Sequence, residues 1–190
     1  MNKDKIKAAV TMFLDGIGED VSREGLLDTP ERVARMCEEV LAGTQYTNQQ
    51  IADMFGKTFE QECNGNDYVL MDNITAFSYC EHHLALMYNM KIAVAYIPHG
   101  RVIGLSKIAR IVDMCSKRLQ LQEKLGTDIA EVMQIATGSE DVAVMISASH
   151  SCMTARGIKK PDAVTKTAVM RGAFQADSKL GDRVLREIGW

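Results

Sequence analysis

The chain has 190 residues, 46% of them hydrophobic, which suffices to bury a core without disulfides and fits one domain with a helical appendage. Its 22 Lys and Arg against 25 Asp and Glu give a net charge of -3, so no global basic surface invites nucleic acid, and an anionic ligand must be held by local clusters. No apolar run reaches membrane-spanning length, and five scattered cysteines, an odd number, read as a reducing, cytoplasmic setting rather than a disulfide framework.

Lys3, Lys5 and Lys7 before an apolar stretch mimic a signal peptide, but Asp4 intrudes, Asp15 follows and no small-residue cleavage site appears. Ile6, Ala9, Val10, Phe13 and Ile17 instead recur at helical spacing, closed by Gly16 and Gly18. Asp28-Thr29-Pro30-Glu31 opens a second helix with Val33, Met36, Cys37, Val40 and Leu41 as its apolar stripe and Gly43 as its C′ stop. Asn48 to Phe55 reads as a short helix and Asn64-Gly65-Asn66-Asp67 as a turn. Strand texture then begins: Tyr68 to Met71, Ile74 to Tyr79, and Lys91 to Ile97. Ser106 can cap a helix with Ile108, Ile111, Val112 and Cys115 on one face. Leu121, Leu125, Ile129, Val132 and Met133 mark another that ends near Gly138. Asp141 to Ser149 and Thr165 to Phe174 are two further strands. The order predicts an α+β domain, residues 66–190, with an antiparallel four-stranded sheet and two helices on one face, preceded by an N-terminal helical region, residues 1–65.

Two clusters carry chemistry: Cys80-Glu81-His82-His83 and, far downstream, His150-Ser151-Cys152. Cys80 and His83 are three positions apart, so a tight turn can aim both at one point while His82 faces elsewhere. Cys152, at a strand end, is the third candidate ligand, and thiolate with imidazole is the donor set zinc prefers. On a continued strand His150 would share a face with Cys152. The alternative reading is that Cys80 and Cys152 are buried thiols, as Cys37 and Cys115 on apolar helix stripes are taken to be. Lys107 and Arg110, three apart in a first helical turn, outline an anion site, with solvated surface charge as the competing reading. Arg156-Gly157-Ile158-Lys159-Lys160 is a basic loop after Cys152, and Arg32 and Arg35 add charge to the second helix. Gly56-Lys57-Thr58 is a decoy for a phosphate loop, because the glycine required five residues earlier is Ile51.

Taken together, Thr29-Pro30-Glu31-Arg32-Val33-Ala34, Cys80-Glu81-His82-His83, Val94-Ala95-Tyr96-Ile97-Pro98, Gly104-Leu105-Ser106-Lys107, Arg110, Gln120-Leu121-Gln122-Glu123, and His150-Ser151-Cys152-Met153 with Arg156-Gly157 resemble GTP cyclohydrolase I in order and spacing. The resemblance covers roughly Leu26 to Phe174. It implies a hydrolase that converts GTP and water to 7,8-dihydroneopterin triphosphate and formate at the entry to tetrahydrofolate and related pterins. By position it implies Cys80, His83 and Cys152 as zinc ligands and His82 and His150 as acid/base groups. Gln122 and Glu123 would read guanine, and Ser106, Lys107, Arg110, Arg156, Arg32 and Arg35 would contact ribose and triphosphate. It also implies the tunnelling fold (T-fold), assembled as a homodecamer of two pentameric rings with active sites between subunits. Leu84 to Asn89 departs from the family in lacking its Pro-Phe and Gly residues, which leaves the local loop shape open. A nitrile reductase on the same fold is opposed by the histidine pair and the second cysteine. A purely structural zinc module would leave His82 and His150 idle.

Overall fold

The computed structural model describes residues 1–63 and 67–190, so the turn expected at Asn64-Gly65-Asn66 lies outside the described residues. The N-terminal helices stand where the periodicity puts them: α1 at Lys3–Gly16, α2 at Thr29–Val40 and α3 at Asn48–Phe55. Asn2 caps α1 by accepting from the Lys5 amide, and Thr47 with Gln50 forms a reciprocal capping box on α3. Lys7–Glu31 (2.6 Å) and Lys3–Glu38 (2.8 Å) tie α1 to α2. Gly43 has a role different from the expected stop. Leu41 is the cap residue of α2, and Gly43 lies in the 3-10 turn Ala42–Gln45 that follows. A side chain there would collide with the Met114 carbonyl and come within 2.9 Å of the Lys117 carbonyl, so close backbone approach is what requires glycine.

Next come β1 (Thr58–Glu60), β2 (Val69–Cys80), β3 (Ala85–Tyr96), β4 (Arg101–Ile103), α4 (Leu105–Ser116), β5 (Leu119–Gln120) and α5 (Gln122–Thr137). β6 (Val142–His150), α6 (Ser151–Thr154), β7 (Thr165–Met170), α7 (Ala173–Ala176) and α8 (Ser178–Glu187) complete the chain. The four long strands pair antiparallel in the order β2-β3-β6-β7. The two-residue β5 adds to β2 in parallel and makes the sheet five-stranded and mixed. Tyr68–Met71 and Ile74–Tyr79 are one strand with a register shift at Asp72-Asn73, where Asn73 takes a left-handed φ of 58°. β1 and β4 form a separate two-stranded ribbon that periodicity did not reveal.

α4 and α5 cover one face of the sheet as expected. Ile108, Ile111, Val112, Leu125, Ile129, Val132 and Met133 bury against Ile92, Val94, Val144 and Ile146. Each such side chain contributes about 1.5–3 kcal/mol by leaving water. The opposite face is partly covered too. Phe174 and Val184, from α7 and α8, pack on Ala93, Ala95, Ala143 and Met145. β3 and β6 are therefore buried on both sides, which accounts for their almost unbroken apolar sequence. The strand expected to run to Phe174 ends at Met170, because Gly172 turns at a left-handed φ of 58° and feeds Phe174 into α7. Among the described residues, no helix is long and apolar enough to cross a membrane.

Candidate functional site

Alternation along β2 buries Ile74, Ala76, Ser78 and Cys80 on the helix-covered face, so register alone turns Cys80 inward. Glu81–Leu84 then reverses the chain in four residues, with Cys80 paired to Ala85 across the hairpin. Leu84 closes this turn at a left-handed φ of 51°. Residues from Ala85 onward are strand, and Asn89, also at 51°, makes the bulge. Asn accepts that conformation more readily than other non-glycine residues, so the bulge forms without a glycine.

His150 is the last residue of β6. The chain does not continue as strand, as the reading of a shared face with Cys152 assumed. It winds into α6, held by Ser151 Oγ donating to the Leu86 carbonyl (2.8 Å) and Tyr88 Oη to Thr154 Oγ1 (3.2 Å). That winding brings Cys152 to Cys80. The ligand atoms of Cys80, His83 and Cys152 all lie within 4.8 Å of one another. Burial and the neighbouring Cys80 sulfur push the Cys152 thiol up. Two thiols this close ionise together only beside a cation, so the donor set fits a metal ion. The buried-thiol reading suits Cys115 instead, whose pKa burial pushes up to about 12.

Arg156 Nη1 lies 2.9 Å from His83 Nε2. His82 is exposed, its ring edge-on to that of His83 with centroids 6.3 Å apart. Gln122, the first residue of α5, is 1% exposed and places Oε1 2.8 Å from His150 Nε2. Burial lowers the His150 pKa, opposed by the Glu123 charge, which favours the neutral imidazole. Gln120, two residues before Gln122, bridges Ser78 Oγ (3.0 Å) and the Cys115 carbonyl (2.8 Å) directly behind Cys80. Sequence reading gave Gln120 no role, and no local spacing marks it.

The remaining candidates stand apart from this cluster. The N-cap of α4 is Gly104, not Ser106, which sits inside the first turn, exposed, with Lys107 half-buried and Arg110 exposed. That end of α4 is anchored by Tyr96 Oη and the Lys57 carbonyl, at the far end of β3 from His83. The opposite end of α4 adjoins Ser78, so Ser106 and Lys107 lie about a helix length, roughly 18 Å, from the thiol cluster. On α2, Arg32 and Arg35 are exposed, Arg32 paired with Asp28 at 3.3 Å. One end of one sheet thus collects Cys80, His83, Cys152, Arg156, His150, Gln122 and Glu123, whereas Arg32, Arg35 and Arg110 are exposed.

An α+β domain that gathers two sulfurs and one imidazole nitrogen beside a further histidine defines a protein with a candidate metal-binding site. The GTP cyclohydrolase I family matches over residues 6–189, and the chain belongs to that family. It is 54% identical over 184 residues to GTP cyclohydrolase 1 of Clostridium botulinum (strain Kyoto / Type A2), covering 95% of this chain and 94% of that protein. The corresponding protein of Ruminiclostridium cellulolyticum is 53% identical over 189 residues, with 97% of each chain covered. Among solved structures, the archaeosine synthase QueF-Like in its apo form matches 58% of this chain and 97% of that chain at 19% identity, with a TM-score of 0.43.

Proposed function

We propose that this chain is a zinc-dependent GTP cyclohydrolase I that converts GTP and water to 7,8-dihydroneopterin triphosphate and formate, the first step of tetrahydrofolate and pterin biosynthesis. The observation that carries the reading is the convergence of Cys80, His83 and Cys152 within 4.8 Å in a chain of this family. These three would hold the ion, and two sulfurs with one imidazole favour zinc. Zinc, when bound, supplies a Lewis acid that lowers the pKa of water. His150 is half-buried with its neutral form favoured, suited to accept a proton and return it, and His82 is the second proposed acid/base group. Glu123, exposed at the first turn of α5 beside His150, can accept from the donor edge of guanine.

Ser106, Lys107, Arg110, Arg156, Arg32 and Arg35 are the proposed ribose and triphosphate contacts. Separation of Ser106 and Lys107 from the thiol cluster supports a site completed by a neighbouring subunit, and so a homodecamer of two pentameric rings of T-fold domains. In that division, residues 1–65 form a helical region that supplies Arg32 and Arg35, and residues 66–190 form the catalytic domain. All five cysteines are free, which supports a reducing, cytoplasmic setting. Zinc-replete protein incubated with GTP should release formate and, after the dihydropterin product is chemically oxidised with iodine, an equal amount of fluorescent pterin. Absence of formate with zinc confirmed by elemental analysis refutes the assignment.

A further inference from the structure

Gln122 is locked in one orientation by groups that belong to the fold. Its Nε2 donates to the carbonyl oxygens of Ile146 (3.0 Å) and Thr165 (3.1 Å) and to Thr167 Oγ1 (3.1 Å). Turning the amide over would set its oxygen against two carbonyl oxygens and strand a buried acceptor, so Oε1 must face His150. An amide oxygen only accepts. The 2.8 Å contact therefore makes His150 Nε2 the donor, and the imidazole's lone pair is left on Nδ1.

We infer that Gln122 is a positioning residue for the reaction, holding His150 in the Nε2–H tautomer so that the lone pair the imidazole offers is on Nδ1. This rests on the proposed role of His150 and assigns the Gln122 side chain to that imidazole rather than to the guanine ring. The anchoring spans three elements, from α5 to β6 and β7, and the residue is almost wholly buried. No other partner is required to satisfy Nε2, which already has three acceptors for two hydrogens.

The test reads the tautomer directly. Long-range proton–nitrogen NMR of the imidazole rings is tractable in a chain with four histidines, and His150 is identified by the signals lost in His150→Gln. Zinc-loaded wild-type protein without GTP should show the Nε2–H form at His150, and an Nδ1–H form there overturns the inference whether or not the protein turns over GTP. In Gln122→Met the preference should be lost, kcat should fall about 100-fold and KM for GTP should stay within about threefold. A KM raised tenfold or more with kcat retained would mean that Gln122 contacts guanine and would overturn the proposal. Should Gln122→Met fail to fold, the wild-type tautomer still decides. Absence of formate from wild type would refute the cyclohydrolase reading and leave the tautomer result standing.

Discussion

A guanidinium carries donors and no lone pair, so the contact between Arg156 Nη1 and His83 Nε2 uses the one lone pair that a neutral imidazole has. A metal ion needs that same lone pair, or else forces a proton onto Nε2 that repels the guanidinium. Arg156 must leave His83 when the ion binds, and it is then free for an anion. Arg156→Ala should accordingly bind zinc about fivefold more tightly, read by competition with a chromophoric chelator, and unchanged affinity would show that the contact does not compete. Linkage works in both directions, so a triphosphate that draws Arg156 away tightens zinc as well. A second prediction separates ligand from proton carrier. Cys152→Ala should lose the metal, whereas His150→Ala should keep it and lose turnover about 10²–10⁴-fold; equal zinc loss in both variants would dissolve the distinction.

At the scale of elements, local signals decide most of what is seen. Pro30 in a first turn, the left-handed Gly138 at the end of α5 and the 3.6-residue stripes of α4 and α5 mark helices without reference to the rest of the chain. β1 and β4 were illegible because three-residue strands have no period, and each exists by pairing with the other some forty residues away. The cap was misplaced by two residues because a serine before an apolar stripe signals a cap, yet Gly104 already supplies the extended residue. Gly43 was misread for a related reason. Its glycine signal was genuine, but its cause is the packing of the 3-10 turn on the end of α4. Gly43→Ala should cost about 1–3 kcal/mol in chemical denaturation by forcing these backbones apart, and wild-type stability would contradict the close-approach account.

For the whole molecule, two features of the chain bear on the proposed assembly. Met12 and Phe13 of α1 and Ile17 just after it present apolar side chains to solvent, and β7 is an edge strand among the described residues. Ser106 and Lys107 of α4 also lie about a helix length, roughly 18 Å, from the thiol cluster. Both features suit an assembly in which one subunit completes another. Lys107→Ala and Cys152→Ala, each inactive alone, should therefore recover activity when co-expressed, to about a quarter of wild type if mixed interfaces form at random. No recovery in confirmed mixed oligomers would mean that each chain builds its own site.

The sequence by itself determined the long helices and strands and the family and marked Cys80, His83 and Cys152 as candidate ligands, because these rest on local periodicity, on residue type or on similarity along the whole chain. Tertiary structure alone decided which side chains meet: Arg156 with His83 across 73 positions, Gln122 with His150 across 28, and α8 against the second face of the sheet. Those encounters depend on strand register and on the way α6 winds after β6. A side chain's periodicity reports the face on which it lies but not the partner it finds there.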